Sequence, residues 1–200
     1  MSAMETISAG QVKVLRDQTG AGMMECKQAL KETGGDVDKA VKWLRERGAA
    51  SAARKSSRET SDGRIGSYIH AGGRIGVLVE LACETDFVAR TPQFQSLLDE
   101  IAMQVAAANP SYISREEVPP ERVAEERAIL EKQVDPKKPP QIREKIVDGK
   151  INAFYEQVCL LDQVYVRDSK KKIQDLLTEN IATIKENIRI RRFARFALGE

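Results

Sequence analysis

The stretch RIGVLVELACETDFVARTPQF, Arg74 to Phe94, contains the most apolar run of the chain, and its reading decides the fold. From Ile75 to Cys83 the residues alternate. Ile75, Val77, Val79, Leu81 and Cys83 share one side and Gly76, Leu78, Glu80 and Ala82 the other, the two-residue period of a β-strand with one buried face. Upstream, RIGSYIH at residues 64–70 has the same period, and Ala71-Gly72-Gly73 between the two runs reads as a hairpin turn. Downstream, Thr91 before Pro92 reads as a helix cap with proline at the first helical position. Phe94, Leu97, Leu98, Ile101, Ala102, Val105 and Ala106 then form an apolar stripe ending at Asn109-Pro110. A strand feeding such a helix lays it across its own sheet. The closing NIRIRRFARFAL supplies the third strand, with Ile188, Ile190, Ala194, Phe196 and Leu198 alternating with Arg189, Arg191, Phe193 and Arg195.

The first fifty residues read as three short helices. Ser8 caps the first, on which Val12 and Leu15 share a stripe before Thr19-Gly20; Met23, Cys26 and Leu30 follow helical spacing on the second, which Gly34-Gly35 stops. Asp36 caps the third, where Val37, Ala40, Val41 and Leu44 recur at i, i+3, i+4 and i+7, and Gly48 is expected to end it. Three helices of about ten residues bury only a minimal core, so this unit suits an interaction module tethered to something larger. Residues 49–62, AASAARKSSRETSD, lack large apolar side chains and read as a linker, helical in part at the Ala-rich start. The charged segments between Pro119 and Gln157, broken by DPKKPP, give an antiparallel helical hairpin. Asp168-Ser169 is expected to cap the helix that follows. The chain thus divides into a module at 1–54, a linker at 55–63 and an α+β core at 64–200 that includes the hairpin 119–158.

The chemistry of an enzyme is missing from this inventory. The one histidine, His70, ends a strand beside the hairpin turn, with no nucleophile partner near it in sequence. No G-x-x-x-x-G-K-[ST] loop occurs, and the glycines of AGGRIG lie between two strands rather than before a helix, where a phosphate would be held. Carboxylate pairs such as Glu116-Glu117 sit in charged helices as solvated faces. Metal-ligand spacing is absent, so neither a metal nor a cofactor is expected. Three cysteines, Cys26, Cys83 and Cys159, are odd in number and far apart, which argues against a disulfide framework and for a reducing compartment. With 32 basic against 30 acidic residues the net charge is only +2, so a partner has to be sought in local patches. Neither a targeting segment nor an apolar run of about 18–20 residues is present, and the expectation is a cytoplasmic protein off the membrane.

Two features stay open on the residues alone. Arg189, Arg191, Arg192 and Arg195 either aim guanidinium groups outward around Phe193 as a nucleic-acid surface, or protect an edge strand from aggregation. At the corner after the central strand, Phe87 either folds back onto the sheet-to-helix junction while Thr85 or Asp86 caps the turn, or it projects toward a partner.

TDFVAR at 85–90, preceded by VELACE, and LRDQTGAGMMECKQAL at 15–30 resemble the two most typical motifs of the bacterial elongation factor Ts family, and NIRIRRFARFALGE is similar to its closing strand. The resemblance runs in order over the whole chain. It implies a guanine-nucleotide exchange factor for the translational GTPase elongation factor Tu, with the first module of ubiquitin-associated type. The nucleotide and Mg²⁺ would then belong to the partner. By carry-over Asp86 and Phe87 approach the partner near its magnesium site, with Thr85 and Val88 shaping the corner. Arg16, Met23 and Met24 are matched to positions that lie against another helix of the GTPase, although core packing for one of the methionines is an equally good reading. The chain resembles the short type, for which a homodimer is implied, without direct contact to nucleic acid. The rival readings are a helical protein-interaction adaptor and an RNA- or ribosome-associated protein using the terminal arginines.

Overall fold

The computed structural model describes residues 7–200, so Glu5 and the rest of the first six residues, where the expected module begins, lie outside the described residues. Eight helices are described: α1 (Ala9–Thr19), α2 (Met23–Glu32), α3 (Val37–Lys55), the single turn α4 (Asp86–Ala89), α5 (Pro92–Ala108), α6 (Pro120–Gln133), α7 (Pro140–Val158) and α8 (Ile173–Ile184). The strands are β1 (Asp62–Ile69), β2 (Ile75–Cys83), β3 (Val164–Tyr165), β4 (Asp168–Lys172) and β5 (Ile188–Ala197). The mixed α+β class expected from the two hydrophobic periods is the class observed. By contact density the chain forms two units, one of Met1–Arg64, Ala82–Leu97 and Leu177–Arg189, the other of Ile65–Leu81, Leu98–Leu176 and Ile190–Glu200.

In the first unit α1, α2 and α3 pack around Val12, Leu15, Cys26, Ala29, Leu30 and Ala40. Their ends are set locally. The Ser8 hydroxyl accepts from the Gln11 amide while the Gln11 side chain accepts from the Ser8 amide, and Gly20 closes α1 at φ 65°, where a Cβ is unfavourable. Asp36 caps α3 through the Lys39 amide at 3.0 Å. Gly48 does not end that helix, which runs on to Lys55. A Cβ on Gly48 would lie 3.3 Å from Cβ of Ala182 on α8, so this glycine permits a close helix approach.

The three-stranded antiparallel sheet has the order β1-β2-β5, so the expected third strand joins the central one. Gly72 and Gly73, at φ 89° and 67°, make the β1–β2 turn. In the second unit, the Leu98-to-Ala108 part of α5 lies on the inner face of the sheet, where Val77, Val79 and Leu81 are buried with Leu98, Ile101 and Val105. A Cβ on Gly66 of β1 would come within 2.6 Å of Cγ of Leu98. Gly66→Ala is therefore expected to destabilise the fold by about 1–3 kcal/mol through overpacking. A lower urea midpoint at unchanged m checks it; an unchanged midpoint is the contrary result.

The hairpin of α6 and α7 buries Leu130, Val134, Val147 and Ile151 between its helices. Arg115 stays close to its base, donating from Nε to Asp162 at 2.9 Å and lying 4.7 Å over the Tyr155 ring. Two further expectations need correction. Asp168-Ser169 opens β4 rather than a helix: the polar run Asp168–Lys172 has no apolar period, and its pairing with Val164–Tyr165 decides its structure. Lys172 donates its amide to Asp175 at 3.0 Å, and α8 begins only at Ile173. In β5 the alternation also changes phase. Ile188 and Ile190 are buried, whereas beyond Arg192 the inward positions are Phe193, Arg195 and Ala197, which leaves Phe196 71% exposed.

All three cysteines are free and buried. Burial pushes the Cys83 and Cys159 thiols up to about 11, and it raises Cys26 as well. These thiols remain protonated and unreactive at neutral pH. Among the described residues no helix is long and apolar enough to cross a membrane.

Candidate functional site

The side chains that the sequence singled out lie in the first unit, at the turn between β2 and α5 and on α1 and α2. Cys83 ends β2 as a buried residue, and its thiol donates to the Thr85 carbonyl at 3.2 Å. Thr85 is extended, at φ −132° and ψ 151°, and its hydroxyl accepts from the Val88 amide at 3.4 Å, which starts the single turn α4. Val88 and Ala89 face inward and are buried. Thr91 then continues the chain into α5, accepting from the Phe94 amide at 3.3 Å and donating its hydroxyl to the Val88 carbonyl at 2.8 Å.

A one-turn helix with Val88 and Ala89 inward turns Asp86 and Phe87 outward. Phe87 is 75% exposed, an unusual position for a phenylalanine, since a large aromatic ring loses the benefit of burial there. The expected local cap is present, yet the ring does not fold back over the junction. Asp86 pairs with Arg90 at 2.8 Å. The pair is exposed and adds little stability, leaving the carboxylate free to exchange partners.

Beneath this turn lies a polar lattice that no local motif announces. Glu186 accepts the Thr85 hydroxyl on Oε1 at 2.7 Å and the Glu84 and Thr85 amides on Oε2, both at 3.0 Å. The adjacent Asn187 donates its amide to Glu84 at 2.6 Å and its side-chain nitrogen to the Arg58 carbonyl at 2.8 Å. Arg58 donates to the Glu84 carboxylate at 3.3 Å, and Arg189 donates to the Ser56 carbonyl. Residues 56–58, expected to be linker, are thus fixed at both ends of this lattice.

On the helical side, Arg16 lies exposed in the last turn of α1, while Met23 and Met24 open α2 at 53% and 76% exposure. Neither methionine packs into the module's core, which Cys26, Ala29 and Leu30 fill from the same helix. Val14, not singled out by the sequence, is exposed on α1 as well. Flexible apolar side chains on an open surface suit a protein contact that must adapt its packing.

Little is available for chemistry elsewhere. His70 is exposed and shares a hydrogen bond with the Tyr68 hydroxyl at 3.0 Å. Among the described residues no group of three or more His, Cys, Asp or Glu side chains is placed to hold a metal. The terminal arginines are engaged within the chain: Arg192 pairs with Glu80 at 2.6 Å, and Arg195 donates to the Ala106 carbonyl and pairs with Glu200.

Comparison with known proteins places the chain among relatives of one family. The model of the family described as elongation factor TS matches residues 25–200. A curated elongation factor Ts from Anaeromyxobacter sp. (strain Fw109-5) is 57% identical over 198 residues, covering 98% of this chain and 90% of that protein. One from Citrifermentans bemidjiense is 56% identical, covering 98% and 91%. A third, from Thermodesulfovibrio yellowstonii, is 53% identical and covers 97% of each chain.

Proposed function

Because the chain belongs to the elongation factor Ts family of translation elongation factors, we propose that it promotes GDP release from the GTPase elongation factor Tu, using the corner Thr85–Val88 as the element that reaches the GTPase's magnesium site. The observation that carries this reading is the solvent-facing Phe87 on a turn otherwise anchored from below. Phe87 acts as an apolar wedge, Asp86 supplies the polar contact, and Thr85 and Val88 hold the turn. The nucleotide and the metal are the partner's, so this chain performs no covalent chemistry.

Magnitudes divide the work between the two surfaces. Driving a partner from a 1:99 to a 99:1 mixture of states takes about 5.5 kcal/mol of differential binding. Burying one phenylalanine supplies roughly 1.5–3 kcal/mol. Phe87 therefore acts with a second contact, which we assign to Arg16, Met23 and Met24 of the 1–54 module. That contact keeps the corner at high effective concentration, while the corner itself selects the nucleotide-free state. Linkage makes the effect reciprocal, so GDP weakens the complex. Replacing Met23 and Met24 together by Ser is expected to weaken binding to nucleotide-free elongation factor Tu about 10-fold, as truncating apolar contacts at an interface does. Titration calorimetry measures it, an unchanged Kd being the contrary result.

The second unit supports the homodimer. Leu98 over Gly66, and Arg195 donating to the Ala106 carbonyl, identify the face of the sheet that meets α5. On the opposite face Ile65, Ile69, Leu78, Phe196 and Leu198 are all exposed. An apolar sheet face of this kind, flanked by the edge strands β1 and β5, matches a second copy of itself. The test of the whole reading is to mix the chain with elongation factor Tu loaded with fluorescent GDP. Accelerated release supports exchange; release at the intrinsic rate rejects it.

A further inference from the structure

We propose that Glu186 is a positioning residue for nucleotide exchange: it holds the Thr85 turn in the conformation that presents Phe87. This deepens the reading of the corner as the exchange element and rests on it.

The argument starts at the end of α8. Lys185 follows that helix in the left-handed region, at φ 69°, and its amide donates to the Ile181 carbonyl at 3.0 Å. A lysine there gives up the freedom that makes glycine the usual residue at such a stop. After the left-handed residue, the Glu186 side chain and the Asn187 backbone amide meet the residues that follow β2, while the Asn187 side chain donates to the Arg58 carbonyl. Glu186 then reaches residues that precede it by 101 and 102 positions. Its three acceptor bonds take up both backbone donors at the start of the turn and also the Thr85 hydroxyl proton.

The hydroxyl bond couples the residue to the wedge. Thr85 donates to Glu186 and with the same oxygen accepts the Val88 amide, so the carboxylate fixes the rotamer that caps α4. α4 is only four residues long and cannot sustain itself by its own hydrogen bonds. Without the carboxylate, the threonine hydroxyl and two amides lose their acceptor, and the turn carrying Phe87 loosens. Asn187 and Glu84 brace the same turn from the side and do not replace those three bonds. A contact held loosely by about 1 Å loses much of its effect on a reacting partner. The consequence falls on exchange while the helical cores remain intact.

The test uses the full chain with Glu186→Ala, Glu186→Gln, Phe87→Ala and the double variant Phe87→Ala/Glu186→Ala. Circular dichroism verifies folding, and hydrogen exchange at the amides of Glu84, Thr85 and Val88 reports the turn. Glu186→Ala is expected to lower GDP release from elongation factor Tu about 10-fold and to speed amide exchange at the turn. Glu186→Gln keeps an acceptor for the amides and offers its amide group to Thr85, and it is expected to recover activity to within about 3-fold of the parent. On the Phe87→Ala background, removing Glu186 is expected to cost little more, because both substitutions act through one element. Parental activity in Glu186→Ala despite a loosened turn overturns the positioning role and leaves the corner reading standing. Equal losses in the Ala and Gln variants, or a full multiplicative loss in the double variant, also overturn it. Full activity in Phe87→Ala rejects the corner reading itself, and the positioning role with it.

Discussion

Phe87→Ala is expected to slow GDP release from elongation factor Tu by roughly 10- to 150-fold, the rate equivalent of losing about 1.5–3 kcal/mol of apolar contact in the open state. Stability should not change, because the ring is exposed and the turn is anchored through Thr85, Val88 and Ala89. A stopped-flow chase of fluorescent GDP measures the rate, and thermal melting verifies the fold. Equal rates for variant and parent would remove the wedge from the mechanism. The contrast with Met23 and Met24 is part of the expectation: those residues should alter affinity, whereas Phe87 should alter the rate at saturating concentration.

The other large effect concerns assembly. Phe196→Asp is expected to convert a dimer into monomers at micromolar concentration, because a two-fold interface loses the side chain twice, roughly 3–6 kcal/mol or about two to four orders of magnitude in Kd. Sedimentation equilibrium of parent and variant measures it. A parent chain that sediments as a monomer, or a variant that remains a dimer, would argue against the sheet face as the contact. The helical unit carrying Met23 and Met24 should be unaffected, since its core draws on α1, α2 and α3 alone.

Where local chemistry decides the structure, the sequence was readable to the residue. Ser8 and Asp36 cap as their spacing implies, Thr91 caps α5 ahead of Pro92, and Gly72-Gly73 turn the hairpin. The central strand and the burial of Val77, Val79, Leu81 and Cys83 follow from period two, while Ala82, on the other face by that period, is buried as well. Long-range packing decided the remainder. Gly48 reads as a stop but lies in mid-helix, because its lack of a side chain answers to Ala182 rather than to the backbone. Asp168–Lys172 has no period of its own, and only Val164 and Tyr165 make it a strand. The phase change within β5 is invisible in a run where isoleucine, phenylalanine and arginine alternate in both frames. At the corner the outward Phe87 was one of two readings that residue chemistry left open. Glu186 escaped altogether, since nothing local distinguishes it from the neighbouring charged residues in Lys-Glu-Asn.

The lattice under the corner also has a consequence for timing. The bonds that Glu186 and Asn187 make to Glu84 and Thr85 join residues 101 to 103 positions apart, one set near the middle of the chain and the other in its last fifteen residues. During synthesis the first three helices can fold as soon as they emerge, since their contacts are local. The turn bearing Phe87 cannot be locked until Glu186 and Asn187 have left the ribosome, so a nascent chain forms its first helices well before that turn. On the proposed reading of the corner, an unfinished copy would lack the firm turn that exchange requires.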